Sequence, residues 1–270
     1  MKKVFSLAAL LLVSASAFAD DAILQANNQI SLSVGAHHLD YHEPSTTDTI
    51  PGDFDSEKGS QFTAGLTAVR QGSLFGISDV YTSASAFLSV GSTHYTGYLL
   101  STWTPTTDST RNVAGDFQVR VGKGFRFGSR SQFQVTPYLQ AGYHIWSRTI
   151  GTDASEVYSH YTLGGGILGQ YAPTSKLVLS ADVGVSAMLG SQMRKDKYPT
   201  FETQNRPVAE IGLGADYAFT RKLHASVNYR LTKYHYGRSA DVSGPRGGDW
   251  YEPSSRTTEQ VITVGLGITF

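Results

Sequence analysis

Within the stretch GAHHLDYHEP, residues 35–44, the seven positions from His37 to Glu43 hold three histidines, an aspartate and a glutamate. Imidazole and carboxylate together can hold a divalent metal or relay a proton. In an extended chain, residues two apart share a face but stand nearly 7 Å apart at about 3.3 Å per residue, whereas a metal bonds each donor at about 2 Å. His38, Asp40 and His42 can therefore meet one ion only if the strand buckles or other strands contribute. The competing reading is a wet rim whose histidines titrate near neutrality. The choice depends on the element that carries them.

The chain opens MKKVFSLAALLLVSASAFADD, with two lysines, an apolar run from Val4 to Val13 and small residues ending Ala17-Phe18-Ala19. That pattern predicts a cleaved secretory signal peptide over residues 1–19, since the apolar run is too short to span a bilayer, and one domain over residues 20–270. Loss of the two leader lysines from 22 basic and 22 acidic residues leaves 20 against 22, a net charge of −2. Nothing in that balance marks a nucleic-acid partner. Cysteine is absent although an exported chain meets an oxidising compartment, so packing and hydrogen bonding must supply the stability.

From residue 29 onward the apolar pattern has a period of two. Phe117, Val119, Val121, Phe125 and Phe127 share one face against Asp116, Gln118, Arg120 and Arg126. Leu177, Leu179, Ala181, Val183, Val185, Ala187 and Leu189 do the same against Ser180, Asp182 and Ser186. Strands are expected near 30–41, 60–70, 80–95, 113–127, 133–148, 158–171, 177–189, 208–219, 223–236 and 258–270. Short links (GSRSQ, APTSK, TRK) alternate with long polar ones around 42–59, 96–112, 190–207 and 237–257; QGSLFGISD is the one long link on the short side. Alternating loop lengths and a one-sided apolar face predict an all-β transmembrane antiparallel up-and-down barrel of ten strands, with eight as the alternative.

Aromatic spacing supports a bilayer as the apolar environment. Phe117 and Phe127, like Tyr161 and Tyr171, lie ten residues apart on the apolar face. Each pair spans roughly 33 Å along its strand, or roughly 25 Å at a tilt of about 40°, the height of a barrel's apolar band. Phe133, Phe219 and Phe270 are expected in the same girdle as Phe127 and Tyr171, and Phe62 in the opposite one.

The last ten residues, VITVGLGITF, set Ile262, Val264, Leu266, Ile268 and Phe270 on one face. This end resembles the C-terminal strand of Gram-negative outer-membrane β-barrel proteins, with opacity-type and small OmpA-like barrels the nearest analogy. The resemblance covers the mature chain in architecture, while its specific part is the leader and these ten residues. It implies that the strand carrying Phe270 is read by the barrel assembly machinery and closes against strand one. It also implies an integral location in the outer membrane, loops outside, both termini periplasmic, and contact with outer-membrane lipid and lipopolysaccharide.

On the lumen side the expected polar network is Arg120, Arg126, Asp182, Glu210, Asp216 and Arg230. If TRK joins strands eight and nine, facing residue numbers sum to about 442, which makes Glu210 and Arg230 diagonal neighbours. Paired inward glycines, such as Gly122 with Gly124 and Gly164 with Gly166, predict crowding by large side chains including Tyr138, His144 and Trp146. GGGILG, residues 164–169, matches a dinucleotide fingerprint but lies inside a strand with no helix to follow, so no cofactor is expected. Ser159 and His160 are adjacent, hence on opposite faces, which argues against a nucleophile and base pair.

The reading that follows is a non-enzymatic barrel with a mostly plugged polar lumen. It displays surface loops for adhesion, environmental contact or envelope integrity, with an unidentified loop ligand and a monomeric state. A narrow solute or ion channel is the alternative, and an outer-membrane protease or lipid-A-modifying enzyme the second. For the opening stretch, a one-residue bulge near His37 is expected, because it would put Leu39 and Tyr41 in the girdle and His38, Asp40 and His42 over the mouth.

Overall fold

A computed structural model describes residues 22–45, 52–99, 102–152, 155–244 and 247–270. The leader, residues 1–19, lies outside the described residues. Alternation of apolar and polar side chains produces ten long antiparallel strands among them: β1 (Gln29–Pro44), β2 (Asp53–Leu74), β3 (Ile77–Leu99), β4 (Thr104–Lys123), β5 (Phe133–Ile150), β6 (Glu156–Tyr171), β7 (Leu177–Lys195), β8 (Pro207–Ala218), β9 (Leu223–Tyr236) and β10 (Ser255–Thr269). Each pairs with the next, and β10 returns to β1 in a ladder from Gln29↔Thr269 to His42↔Arg256. Closure leaves no open edge, so the strand N–H and C=O groups find partners without water. Ten strands, not eight, form the wall.

Register decides which residues ring the outside. Ala36, Phe62, Val90 and Val113 face one another in turn across β1 to β4, and Ala36 also faces Ile262 on β10. Phe117, Tyr143 and Tyr161 make a second outward row, and Phe127, Phe133 and Tyr171 a third. In the third row the rings stack, with centroids 5.6 Å and 4.7 Å apart. Phe117, Tyr161, Phe219 and Phe270 expose half or more of their surface to the exterior. An exterior band of Ile, Leu, Val and Phe between aromatic rows is the surface a bilayer requires, and the fold is that of an integral outer-membrane barrel.

Strands continue well past this band at the end carrying the long loops. β2 has 22 residues and β3 has 23. At about 3.3 Å per residue and a tilt of about 40° each is roughly 55 Å tall, about twice the apolar band. Much of the sequence expected as loops at 42–59 and 96–112 is therefore wall. Period-two patterning vanishes there because the outer face meets water while the inner face is itself polar, as with Glu57, Thr93, Thr110 and Asn112. The short-side link QGSLFGISD also proves to be strand: Phe75 and Gly76 alone make the turn, with φ of 50° and 80°, the two positive values a tight primed hairpin demands.

At the short-turn end a five-residue helix, α1 (Ala22–Ala26), packs Ala22, Ile23 and Ala26 against Ala172 and Val178. Turns at this end are fixed by Thr174 and Thr220, whose hydroxyls accept backbone N–H groups two and three residues on.

Candidate functional site

The even-numbered residues of β5 point into the lumen and mark its layers from the short-turn end upward: Gln134, Tyr138, Gln140, His144, Trp146 and Arg148. The lowest layer is a ring of four amides. Asn27, Gln71, Gln134 and Gln170 bond one another at 2.7 to 3.1 Å across the barrel floor. Gly124 lets the ring approach the wall, since a Cβ there would sit 2.7 Å from the Gln71 amide nitrogen.

Above the ring, Arg120 forks onto Asp182 at 3.1 and 3.3 Å, with its guanidinium 4.5 Å from the Tyr138 ring centroid, and Tyr138 donates to the same carboxylate at 3.1 Å. Tyr138 can lie across the lumen because Gly166 offers no side chain to block it. Glu210 follows, accepting from Gln118 at 3.2 Å and Gln140 at 2.6 Å.

The sequence register for β8 and β9 holds, since Ala209 faces Lys233, a sum of 442, and Gly212 faces Arg230. The diagonal pair does not form as expected. Glu210 takes its donors from β4 and β5 across the lumen, and Arg230 lies 5.1 Å over the Phe87 ring. Arg126 pairs with Asp79 at 3.1 Å, and Asp216 accepts from His224 at 2.5 Å and Gln29 at 2.9 Å. Of the six lumen residues, Arg120 and Asp182 pair with each other, while Arg126, Glu210, Asp216 and Arg230 take other partners, so they do not form one network.

Higher still, Asp116, His144 and Glu259 gather beside a cavity of about 40 Å³, which Glu210, Arg230 and Tyr234 also line. At about 10–15 Å³ per water position, the cavity has room for about three waters. His144 meets Asp116 at 2.9 Å, and Tyr234 bridges Glu259 at 3.0 Å and His144 at 3.3 Å. Ser159 and His160 are both buried because a bulge between Ser159 and Tyr161 breaks the parity that had set them apart. Their polar groups nonetheless go separate ways, His160 to Tyr236 at 2.8 Å and Ser159 to Gln192 at 3.3 Å.

The top layer lies above the apolar band, where the outward neighbours of Arg148 are Ser147 and Thr149. Arg148, 4% exposed, meets Glu156 at 2.7 Å, Glu57 at 3.1 Å, Glu43 at 3.2 Å and Asp55 at 3.5 Å. Its guanidinium packs on the rings of Tyr41, Trp146 and Tyr158 at 4.8 to 5.5 Å. Glu252, from the segment before β10, accepts from Tyr158 at 2.5 Å. Burial pushes the Glu43, Asp55 and Glu252 carboxyls up, and the crowd of like charges adds to it. Burial also acts on Glu156, but Arg148 and Lys195 beside it prevail and hold it low. Sequence reasoning missed this cluster. Its members lie on four strands, with Glu252 in the segment before β10, and no spacing joins them.

β1 carries no bulge before Glu43, so the expected break near His37 is absent. Leu39 and Tyr41 point inward and are 1% and 0% exposed, while His38, Asp40 and His42 point outward. Aromatic packing inside the upper barrel, Tyr41 edge-on to Trp146 at 5.1 Å, outweighs any gain from a girdle position. Outside, His42 bonds Asp40 at 2.7 Å and Asp53 at 2.6 Å, and Lys58 reaches Asp40 at 2.8 Å. Asp40 and His42 thus belong to an outer ionic patch above the band, not a mouth, and His38 beside them meets the Ser60 hydroxyl at 3.1 Å. GGGILG runs inside β6, with Gly166 facing Tyr138 on β5, and no helix follows it.

No family model and no curated protein sequence matches the chain. Among solved structures it is similar to the outer membrane protease OmpT from Escherichia coli, with a TM-score of 0.58 at 12% identity over 90% of this chain and 97% of that one. It also aligns with the outer membrane protein OprG from Pseudomonas aeruginosa, with a TM-score of 0.37 at 12% identity over 90% and 96%. The likeness to OmpT is one of fold. The chain has the closed ten-strand architecture of small outer-membrane β-barrels.

Proposed function

We propose that this protein is a closed, non-enzymatic outer-membrane barrel that works through the end carrying its long loops. The observation behind this reading is closure in series: the amide ring, the Arg120–Asp182–Tyr138 layer and the Arg148 cluster each cross the lumen. Fully buried Trp146, Tyr41, Tyr158, Tyr234 and Tyr236 fill the space between the upper layers. A solute would have to displace several buried, hydrogen-bonded groups at once, and each unmade hydrogen bond costs about 1–3 kcal/mol. The cavity beside Asp116 and His144 has room for about three waters, too little for a peptide or an acyl chain to enter there.

In this reading both termini are periplasmic and the upper wall presents residues 237–244 and 247–254 to the outside, where a loop ligand would dock. β10, ending in Phe270, would be the segment engaged by the assembly machinery. Single-channel recording of folded protein in planar bilayers tests closure: flat traces are expected, and a discrete, reproducible conductance would overturn the reading. Turnover of peptide or lipopolysaccharide by the purified barrel would overturn the non-enzymatic part. Because the chain has no cysteine, Asp249→Cys offers a single reporter. It should react with a membrane-impermeant maleimide on intact cells; protection there would reverse the orientation.

A further inference from the structure

We infer that the upper lumen is a binding site for one divalent transition-metal ion of the zinc class, held by His144, Glu259 and His37. These residues sit on β5, β10 and β1, so the ion would tie opposite walls together. A carboxylate oxygen of Asp116, a ring nitrogen of His144 and a carboxylate oxygen of Glu259 lie within 4.8 Å of one another. Asp116, an acceptor when ionised, takes the Nδ1 side of His144 at 2.9 Å and leaves Nε2 turned toward Glu259 Oε1 at 3.9 Å. A carboxylate behind a histidine is the arrangement that orients a metal-binding imidazole and raises its basicity.

His37 supplies the independent observation. It is 1% exposed, neither ring nitrogen has a hydrogen-bond partner among the described residues, and Nε2 faces Glu259 Oε1 at 3.9 Å. A buried imidazole with both nitrogens unmet has lost its hydration without recompense, and a metal bond at Nε2 would offset that. Donors around a tetrahedral zinc at about 2.0–2.1 Å stand roughly 3.3 Å apart, so the two 3.9 Å separations need to close by about 0.6 Å, and His37, which stands outside the group gathered within 4.8 Å, must also draw in toward His144. Two imidazoles and a carboxylate suit zinc-class ions, and the adjoining cavity leaves the fourth position to water. The Tyr234 hydroxyl now spans Glu259 and His144, and the ion would displace it.

The site stands independently of whether the barrel conducts. Its test is calorimetric titration of Zn²⁺ into the chelator-treated, folded full barrel in detergent, with heat-modifiable gel mobility as the check on folding. Expected are one saturable Zn²⁺ per barrel and a rise in the unfolding temperature on the gel. His37→Ala should weaken binding at least ten-fold, and Asp116→Asn 10- to 100-fold. Tyr234→Phe, which removes the competing bridge, should bind as tightly as the parent or tighter. The exterior patch is the rival, so a His38→Ala, His42→Ala double variant must leave affinity unchanged. Absence of saturable binding overturns the inference, as does binding that survives His37→Ala or is lost with the exterior pair. X-ray absorption of the zinc-loaded parent needs no variant to fold: two imidazole nitrogens are expected, and a first shell without imidazole overturns the site.

Discussion

Arg148 and Glu156 face each other across the β5–β6 hairpin, and Arg148 Nε donates to Glu156 Oε2 at 2.7 Å inside a layer that is closed to solvent. Register alone would make this a routine cross-strand pair. Closure of the barrel turns it into something else, because β1 and β2 deliver Glu43, Asp55 and Glu57 to the same guanidinium.

Arg148→Met should therefore be among the most damaging single changes in the upper barrel. Removing one partner of a buried ion pair costs about 3–5 kcal/mol, since the charges left behind stay buried. The temperature at which the folded gel band converts to the unfolded one should fall clearly. Arg148→Lys should rescue little, because a single ammonium cannot fork toward four carboxylates. A transition temperature for the methionine variant equal to the parent's would refute the assignment.

The same layer sets a pH dependence. Glu43, Asp55 and Glu252 carry raised pKa values in the folded barrel, so the folded state binds more protons than the unfolded chain between the ordinary carboxylate range and those raised values. Stability of the upper wall then rises as pH falls through that window and levels off near pH 4, where the unfolded carboxyls also protonate. Glu156, held low, acts with the opposite sign and withdraws its contribution only under stronger acid. Amide exchange at the β5–β6 end should slow as pH falls from neutral toward the ordinary carboxylate range, after correction for intrinsic rates, and acceleration there would contradict the sign.

Gly166 and Gly72 should differ sharply under the same substitution. A Cβ on Gly166 would press on the Val183 carbonyl oxygen and the Tyr138 hydroxyl, whereas a Cβ on Gly72 would meet nothing within 4 Å. Gly166→Ala should cost about 1–3 kcal/mol in denaturant unfolding, as overpacking does. Gly72→Ala should be near neutral. Equal midpoints for the two variants would show that Tyr138 does not depend on the glycine opposite it.

Closure in series makes a separate prediction about the floor. Gln134→Ala removes the hub of the amide ring and leaves Gln71 and Gln170 each short of a partner, for about 1–3 kcal/mol. Bilayer recordings of this variant should stay flat, because the layers through Tyr138, His144, Trp146 and Arg148 still cross the lumen. A channel opened by this change alone would place the whole seal at the floor.

Much of the barrel was legible in the chain itself. Alternation in Phe117 to Phe127 and Leu177 to Leu189 identified wall strands, the ten-residue aromatic spacing gave the outward rows, and the TRK turn fixed the register of β8 on β9. Each of these depends on neighbours in sequence or on adjacent strands, and on a contrast between an apolar outside and a polar inside. His37 to Glu43 lies where that contrast fails. Above the apolar band the exterior is wet and the lumen holds tyrosine, tryptophan and charge, so residue type no longer says which face is which; packing of Tyr41 on Trp146 decided it.

Partners across the lumen were likewise invisible, whether Gln118 with Glu210 or the carboxylates around Arg148. A closed barrel brings together residues whose separation in sequence obeys no period, and only the curvature of the finished wall determines which of them touch. Alternation along the chain encodes a two-sided sheet, and with it the wall and its membrane-facing surface. Tertiary structure alone decided what fills the barrel, because closure in three dimensions sets those contacts.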